Sequence, residues 1–265
     1  MQTFALSGLG NISSRHIAAI KSIGGEILDT FDIDKSRNPS CETFDDLLKT
    51  KADWIVVLSP NVTHYEQAQK ALAAGKRVII EKPATLNSFD LEEFDIEDEV
   101  YVVSQLRYMQ SIKDLHMKVV RDDGYVVRLN IVAHRDPTYL ANWRGDEGWS
   151  GGLMHIIGIH YFDILTYIFG AVRTLRYVRW ISEWRCTGQI ELERAIVSFN
   201  IEISETKPNH KSLTVNDQKI DLAAGFFDLH SDVYKAIVDG EGIHPSEMYR
   251  AHECIDILMS YQCKK

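Results

Sequence analysis

The chain has 265 residues, 45% of them hydrophobic, which is enough apolar material for one large domain or two of modest size. Asp and Glu outnumber Lys and Arg 38 to 29, for a formal net charge of -9 with no long basic run. That balance argues against a nucleic-acid footprint or a polybasic membrane patch and leaves a small molecule as the expected partner. Cys41, Cys186, Cys254 and Cys263 are scattered, with no CxxC pair and no histidine spacing suited to zinc. Neither a disulfide framework nor a metal site is therefore expected, and a reducing cytoplasm is the expected compartment. The opening MQTFALSGLG has no basic segment ahead of its apolar residues, and no run of the chain is apolar for long enough to predict a membrane span.

Residues 3–9 read as a strand, and Gly8-Leu9-Gly10-Asn11-Ile12-Ser13 then opens into helical apolar spacing over residues 14–20. Glycines at 8 and 10 suit a tight turn and a close backbone approach to a pyrophosphate on the amino end of the helix, with Asn11 and Ile12 in the same turn. Ser13 stands where a third glycine completes the dinucleotide fingerprint, so the six residues by themselves fit a plain turn equally well. A second strand over 26–32 ends in Asp32, about 20 residues beyond the turn, the offset at which an acid binds the adenine ribose hydroxyls. Asp32 favours NAD by repelling a 2'-phosphate, although Lys35 and Arg37 would accommodate NADP if their loop folded back.

A third strand over 53–58 runs into Ser59-Pro60-Asn61-Val62-Thr63-His64, and a helix over 65–74 leads to a fourth strand over 78–80 that ends in Glu81-Lys82-Pro83. Continuous apolar strands alternating with helices predict a parallel sheet covered on both faces. Ligands bind at the carboxyl ends of such strands, so the Gly8 turn, Asp32, Ser59 to His64 and Glu81 to Pro83 are expected on one edge. His64 alone reads as readily as a helix-terminal histidine with no chemistry.

After an acidic linker over 90–99, a strand over 101–105 ends in Gln105 and leads through Arg107 to a helix over 112–120. The texture then alternates over 125–131, 175–180 and 190–199, which predicts antiparallel strands with one polar face. Between the first two lies Gly151-Gly152-Leu153-Met154-His155-Ile156-Ile157-Gly158-Ile159-His160-Tyr161-Phe162-Asp163, and on a helix His160 and Asp163 share a face. A last helix is predicted over 232–238, with Asp228 as its cap.

A glycine turn, an acid after the second strand, an EKP and a GG…GxHxxD segment, in this order along nearly the whole chain, resemble the Gfo/Idh/MocA oxidoreductases. Within that family Ser59-Pro60-Asn61 with His64, Gln105-Leu106-Arg107, Asn142-Trp143-Arg144-Gly145-Asp146-Glu147, Glu191-Leu192-Glu193-Arg194-Ala195 and Gly225-Phe226-Phe227-Asp228-Leu229-His230 are most similar to the UDP-N-acetylglucosaminuronate 3-dehydrogenases of surface-polysaccharide biosynthesis. Three departures accompany the resemblance. Ser13 replaces a small residue of the turn, Ile156 stands where many members have aspartate and the sugar-nucleotide enzymes asparagine, and the segment over 87–101 is short.

The resemblance implies an α/β protein with an NAD-binding Rossmann-type domain over residues 1–104 and an α+β substrate domain over 105–265. The open, largely antiparallel sheet of the second domain would carry a homo-oligomer interface. The implied reaction is NAD-dependent oxidation of the C3 hydroxyl of a UDP-linked N-acetylated uronic sugar. His160 would accept the hydroxyl proton, Lys82 would stabilise the alkoxide, Glu81 would orient Lys82 beside the nicotinamide ribose, and Asp163 would orient His160 or meet a substrate hydroxyl. Gly8, Gly10, Asn11, Ile12, Asp32, Ser59, Pro60, Asn61, His64, Glu81, Lys82 and Gln105 would line the cofactor. Arg107, Tyr139, Trp143, Arg144, His155, Ile156 and His160 would line the sugar nucleotide. A dehydrogenase of another sugar or cyclitol, which Ile156 favours, and a non-catalytic binder of the same ligands remain open.

Overall fold

The apolar runs of the first hundred residues fold as five parallel strands in a computed structural model that describes residues 1–119, 123–222 and 229–262. They are β1 Thr3–Ser7, β2 Glu26–Phe31, β3 Trp54–Val57, β4 Arg77–Glu81 and β5 Val100–Val103. Their order is β2-β1-β3-β4-β5. Ile55, Val56, Val57, Val78, Ile79 and Ile80 have no exposed surface, as expected of strands covered on both faces. The covering helices are α1 Ser13–Ser22, α2 Phe44–Leu48, α3 His64–Ala73 and a short α4 Phe89–Glu92, which occupies the abbreviated stretch over 87–101. Strand order reverses between β1 and β3, which puts the ligand crevice of this sheet at their carboxyl ends.

The later elements are α5 Gln110–Val119, β6 Tyr125–His134, α6 Glu147–Ser150, a π-helical turn Met154–Gly158 continuing into α7 Ile159–Phe169, β7 Val172–Ser182, β8 Arg185–Leu192, β9 Ala195–Ser204, β10 His210–Val215 and β11 Gln218–Ile220. The six strands order as β11-β10-β6-β9-β8-β7, and β6 with β9 is a parallel pair among antiparallel ones, so the sheet is mixed. One face carries the apolar residues. Val127, Leu129, Ile131, Val197, Phe199 and Ile201 are buried, and the Phe199 ring meets Phe162 of α7 at 5.4 Å. Polar pairs cross the other face, among them Asn200 to Asn130 at 2.8 Å and Gln189 to Ser198 at 3.0 Å. The helical run Glu147–Phe169 is long and apolar enough to cross a membrane, but 89% of its apolar window is buried inside the structure.

Two expectations are corrected. The alternation over 190–199 is not one strand but the hairpin of β8 and β9, in which Glu191 pairs with Ile196. The apolar phase slips by one residue at Glu193-Arg194, from positions 190 and 192 to 195, 197 and 199, and that slip is the mark of the reversal. Nor is the second domain continuous over 105–265. The compact units are Met1–Gln105 with Phe227–Glu247, and Leu106–Phe226 with Met248–Lys265. Helix α8, Leu229–Val238, returns to the nucleotide-binding unit. There Tyr234 is fully buried beside Phe4 at 6.1 Å, and the Val102 N–H donates to the Ile243 carbonyl at 2.8 Å. The final helix, α9 Tyr249–Ser260, belongs to the second unit, where Trp180 donates to the Leu258 carbonyl at 3.2 Å. Asp228 and Gly225 to Phe227 lie outside the described residues.

Candidate active site

At the switch point the backbone of the first unit leaves no room for a side chain. Gly8 has φ +103°, and a Cβ there would lie 2.6 Å from the Leu58 carbonyl oxygen. The Gly8→Ala variant is expected to lose roughly 2–5 kcal/mol, from left-handed strain together with overpacking against backbone. A thermal melt with and without NAD measures that loss. Ser13, the departure from the glycine pattern, is absorbed locally, since its hydroxyl donates to the Gly10 carbonyl at 2.7 Å as α1 begins. Asn11 is exposed and Ile12 half-buried in the turn between them. Asp32 ties the turn to β2, accepting from the Leu9 N–H at 2.7 Å and the Asp34 N–H at 2.8 Å. Its loop does fold back: Arg37 donates to Asp34 at 3.1 Å and stands 3.7 Å from Asp32, while Lys35 turns away to the Glu42 carbonyl.

The ends of β3 and β4 are pinned together by a buried imidazole. His64 Nδ1 lies 2.7 Å from the Pro83 carbonyl and Nε2 lies 2.8 Å from the Ser59 carbonyl. A neutral imidazole can donate to only one of them. Burial nonetheless outweighs the pull of both carbonyls and sets the His64 pKa below its ordinary value. His64 is therefore a strap between two loops with almost no surface of its own, 1% exposed. Ser7 and Ser59 both donate to Gln67 Oε1, at 2.7 and 3.1 Å. Gln67 is a contributor that no motif announces. Pro60 is half-buried and Asn61 buried on the same edge, and Gln105 is buried just beyond β5.

Glu81, the last residue of β4, is 5% exposed. It points into the fold, toward His16 of α1 and His230 of α8. Lys82 is half-buried, and the Lys82–Pro83 peptide is cis.

In the second unit, Gly151 and Gly152 take φ of +75° and +66°, and a Cβ on Gly151 would lie 2.5 Å from the His155 ring. His155 turns inward, its Nδ1 2.8 Å from the Gly151 carbonyl, and is 3% exposed. Ile156 is likewise buried. His160 is half-buried on the first turn of α7, where a proton acceptor can be reached. Asp163 is engaged by an arginine. Its carboxylate accepts from Arg107 Nε at 3.0 and 3.1 Å with further donation from Nη2, and Asp163 and Arg107 are 0% and 7% exposed. Arg107 also covers the Tyr167 ring at 4.7 Å. The fork expected to meet a substrate anion makes contact with a carboxylate of its own unit through Nε and Nη2.

The remaining candidates form an outward cluster. Arg144 lies over Tyr139 at 5.2 Å and over Trp143 at 4.6 Å, and Arg135 covers Tyr139 at 4.9 Å. Such a surface can stack an aromatic ring and pair with phosphate or carboxylate.

A model of the oxidoreductase family's NAD-binding Rossmann fold matches residues 3–96, and one of its C-terminal alpha/beta domain matches residues 124–185. The chain belongs to the Gfo/Idh/MocA oxidoreductases. A Gfo/Idh/MocA member binds NAD on its first domain, and the glycine turn and Asp32 fit that cofactor. Among solved structures the chain is similar to the WlbA (WbpB) dehydrogenase of Thermus thermophilus. With NAD and UDP-GlcNAcA bound, that structure superposes at TM-score 0.88 and 28% identity, over 100% of this chain and 97% of that one. With NAD and alpha-ketoglutarate bound, it superposes at TM-score 0.87 and 29% identity over the same shares. Among curated proteins, glucose-6-phosphate 3-dehydrogenase of Bacillus subtilis is 24% identical over 193 residues, 64% of this chain and 54% of that protein. The aligned part of this chain spans between a third and about half of the curated relatives it matches.

Proposed function

We propose that this protein is an NAD-dependent dehydrogenase that oxidises the C3 hydroxyl of a UDP-linked N-acetylhexosaminuronic acid in surface-polysaccharide biosynthesis. The observation that carries this reading is the full-length match, at 28% identity, to a dehydrogenase crystallised with NAD and UDP-GlcNAcA. Alcohol oxidation requires the O–H proton to leave as hydride departs from carbon, and bound NAD supplies the hydride acceptor. His160 takes the proton. The Lys82 ammonium holds the hydroxyl and stabilises the charge that develops on its oxygen. Tyr139, Trp143 and Arg144 give the nucleotide a stacking surface with a cation on it.

Ile156 favours a second reading, because an apolar, buried side chain stands where relatives place a polar one. A different sugar or a cyclitol is the alternative substrate. The test is incubation with NAD across a panel of UDP-sugars, free sugars and inositols, followed at the nicotinamide absorbance band without 2-oxoglutarate and by the mass of the sugar product with it. Turnover of the UDP-uronate supports the first reading, and turnover only of an unlinked sugar or cyclitol moves the assignment to the second. NAD bound without turnover of any compound would sink both.

Homo-oligomerisation through the open sheet is part of the proposal. Val126 and Ile196 are neighbours in the β6–β9 register and are 44% and 36% exposed, with Tyr177 and Ile181 of β7 at 55% and 48%. An apolar set on an otherwise polar face marks a contact surface. Tyr177→Glu is expected to lower the mass seen by light scattering, and an unchanged mass would remove this face from the interface.

A further inference from the structure

Under the end of β4 lies a buried cluster that no motif predicts. His16 Nε2, Glu81 Oε2 and His230 Nε2 have no hydrogen-bond partner. These residues are 0%, 5% and 4% exposed, and their ligand-type atoms lie within 4.8 Å of one another. Two imidazoles and a carboxylate have the composition of a metal cage, but the geometry and charge argue otherwise. The His16–Glu81 approach is 3.8 Å, against about 3.4 Å between ligands on a tetrahedral zinc. Lys82 already supplies a cation close enough to pull the Glu81 pKa down.

The hydrogen bonding sets a direction along the cluster. Burial pushes the Tyr234 phenol well above its usual pKa, so it remains a donor. Its O–H lies 2.9 Å from His16 Nδ1. An imidazole that accepts at Nδ1 carries its proton on Nε2, the atom that faces Glu81. His230 packs edge-on against the His16 ring at 5.2 Å, and burial pushes its pKa down to about 4, which keeps it neutral. Burial also works to raise the Glu81 pKa, but the contact with His16 and the charge of Lys82 outweigh it and leave Glu81 at about 2.

We propose that His16, Tyr234 and His230 are positioning residues that hold the Glu81 side chain turned into the fold, so that Lys82 is presented to the ligand edge. Glu81 is the last residue of β4 and Lys82 the first beyond it, so anchoring Glu81 against α1 and α8 fixes the point from which Lys82 departs. This also gives the return of α8 to the first unit a purpose beyond covering the sheet. The proposal rests on the reading of Lys82 as a reacting group.

The groups that face Glu81 are His16 from α1, His230 and Tyr234 from α8, and Lys82 on its own strand, with Arg15 acting on His230. Removing His16 removes an influence that lowers the Glu81 pKa. The loss of activity as pH falls through that pKa then begins at higher pH. His16→Ala is expected to reduce kcat about 10–100-fold, as loss of an orienting partner does, with NAD affinity retained and the acid limb displaced upward. His16→Gln, whose amide N–H stands near the Nε2 position, restores both.

A fall in kcat with no displaced limb and no rescue by glutamine means a merely structural role and overturns the proposal. One equivalent of zinc in the purified protein that is lost in His16→Ala overturns it as well. Nitrogen NMR of the histidines in the intact protein needs no substrate. It is expected to show His16 protonated on Nε2 and disturbed by Tyr234→Phe. The opposite tautomer defeats the proposal even in an active enzyme, whereas the expected tautomer in a protein inactive on every sugar supports the network and defeats the reaction reading.

Discussion

Replacing Asp163 with alanine is expected to destabilise the second unit by about 3–5 kcal/mol, because it leaves the Arg107 guanidinium buried without its carboxylate. Arg107 is 7% exposed and makes bidentate contact with Asp163 from Nε and Nη2. No rearrangement short of opening the unit would bring water to it. For a chain of this size the change corresponds to a fall in Tm on the order of 10 °C. Arg107→Met combined with Asp163→Leu is expected to recover most of the loss, since a buried pair exchanged for apolar side chains of similar volume is often neutral. A melt within a degree or two of wild type for Asp163→Ala alone would show the pair to be solvated.

His160→Ala is expected to lower kcat by about 10²–10⁴, the range for loss of a positioned acid–base group. NAD affinity and the thermal melt should both stay near wild type. His160 is half-buried at the amino end of α7 while its neighbours Ile159, Tyr161 and Phe162 are buried, so the substitution costs little packing. Equilibrium titration with NAD and steady-state kinetics on the same preparation separate the two quantities. A fall in NAD affinity matching the fall in kcat would make His160 a binding residue instead of a proton acceptor.

Some of these features were legible from sequence and others were not, for physical reasons. The Gly8 turn, Asp32 and the strand ending in Glu81 each carry a local sequence pattern, a glycine pair or an apolar run closed by an acid, and the structure places them along one sheet edge. The contact of Asp163 with Arg107 was not legible because its partner is 56 positions away in sequence. The direction of Glu81 was not legible for a similar reason: its neighbours His16 and His230 come from distant parts of the chain. The His16–Tyr234 contact joins residues 218 positions apart, and it depends on a return of the chain that no composition change marks. Gln67, which gathers the hydroxyls of Ser7 and Ser59, looks in sequence like any polar residue on a helix.

The proposed reaction moves hydride from C3 of the sugar to the nicotinamide while the C3 hydroxyl gives up its proton. UDP-N-acetylglucosaminuronate carrying deuterium at C3, incubated with the protein and NAD without a second oxidant, tests that step most directly. The expected result is transfer of deuterium to the nicotinamide, seen by mass, with a slowed first turnover and loss of both signals in Lys82→Ala. Retention of deuterium on the sugar while wild-type protein holds NAD would contradict the assignment.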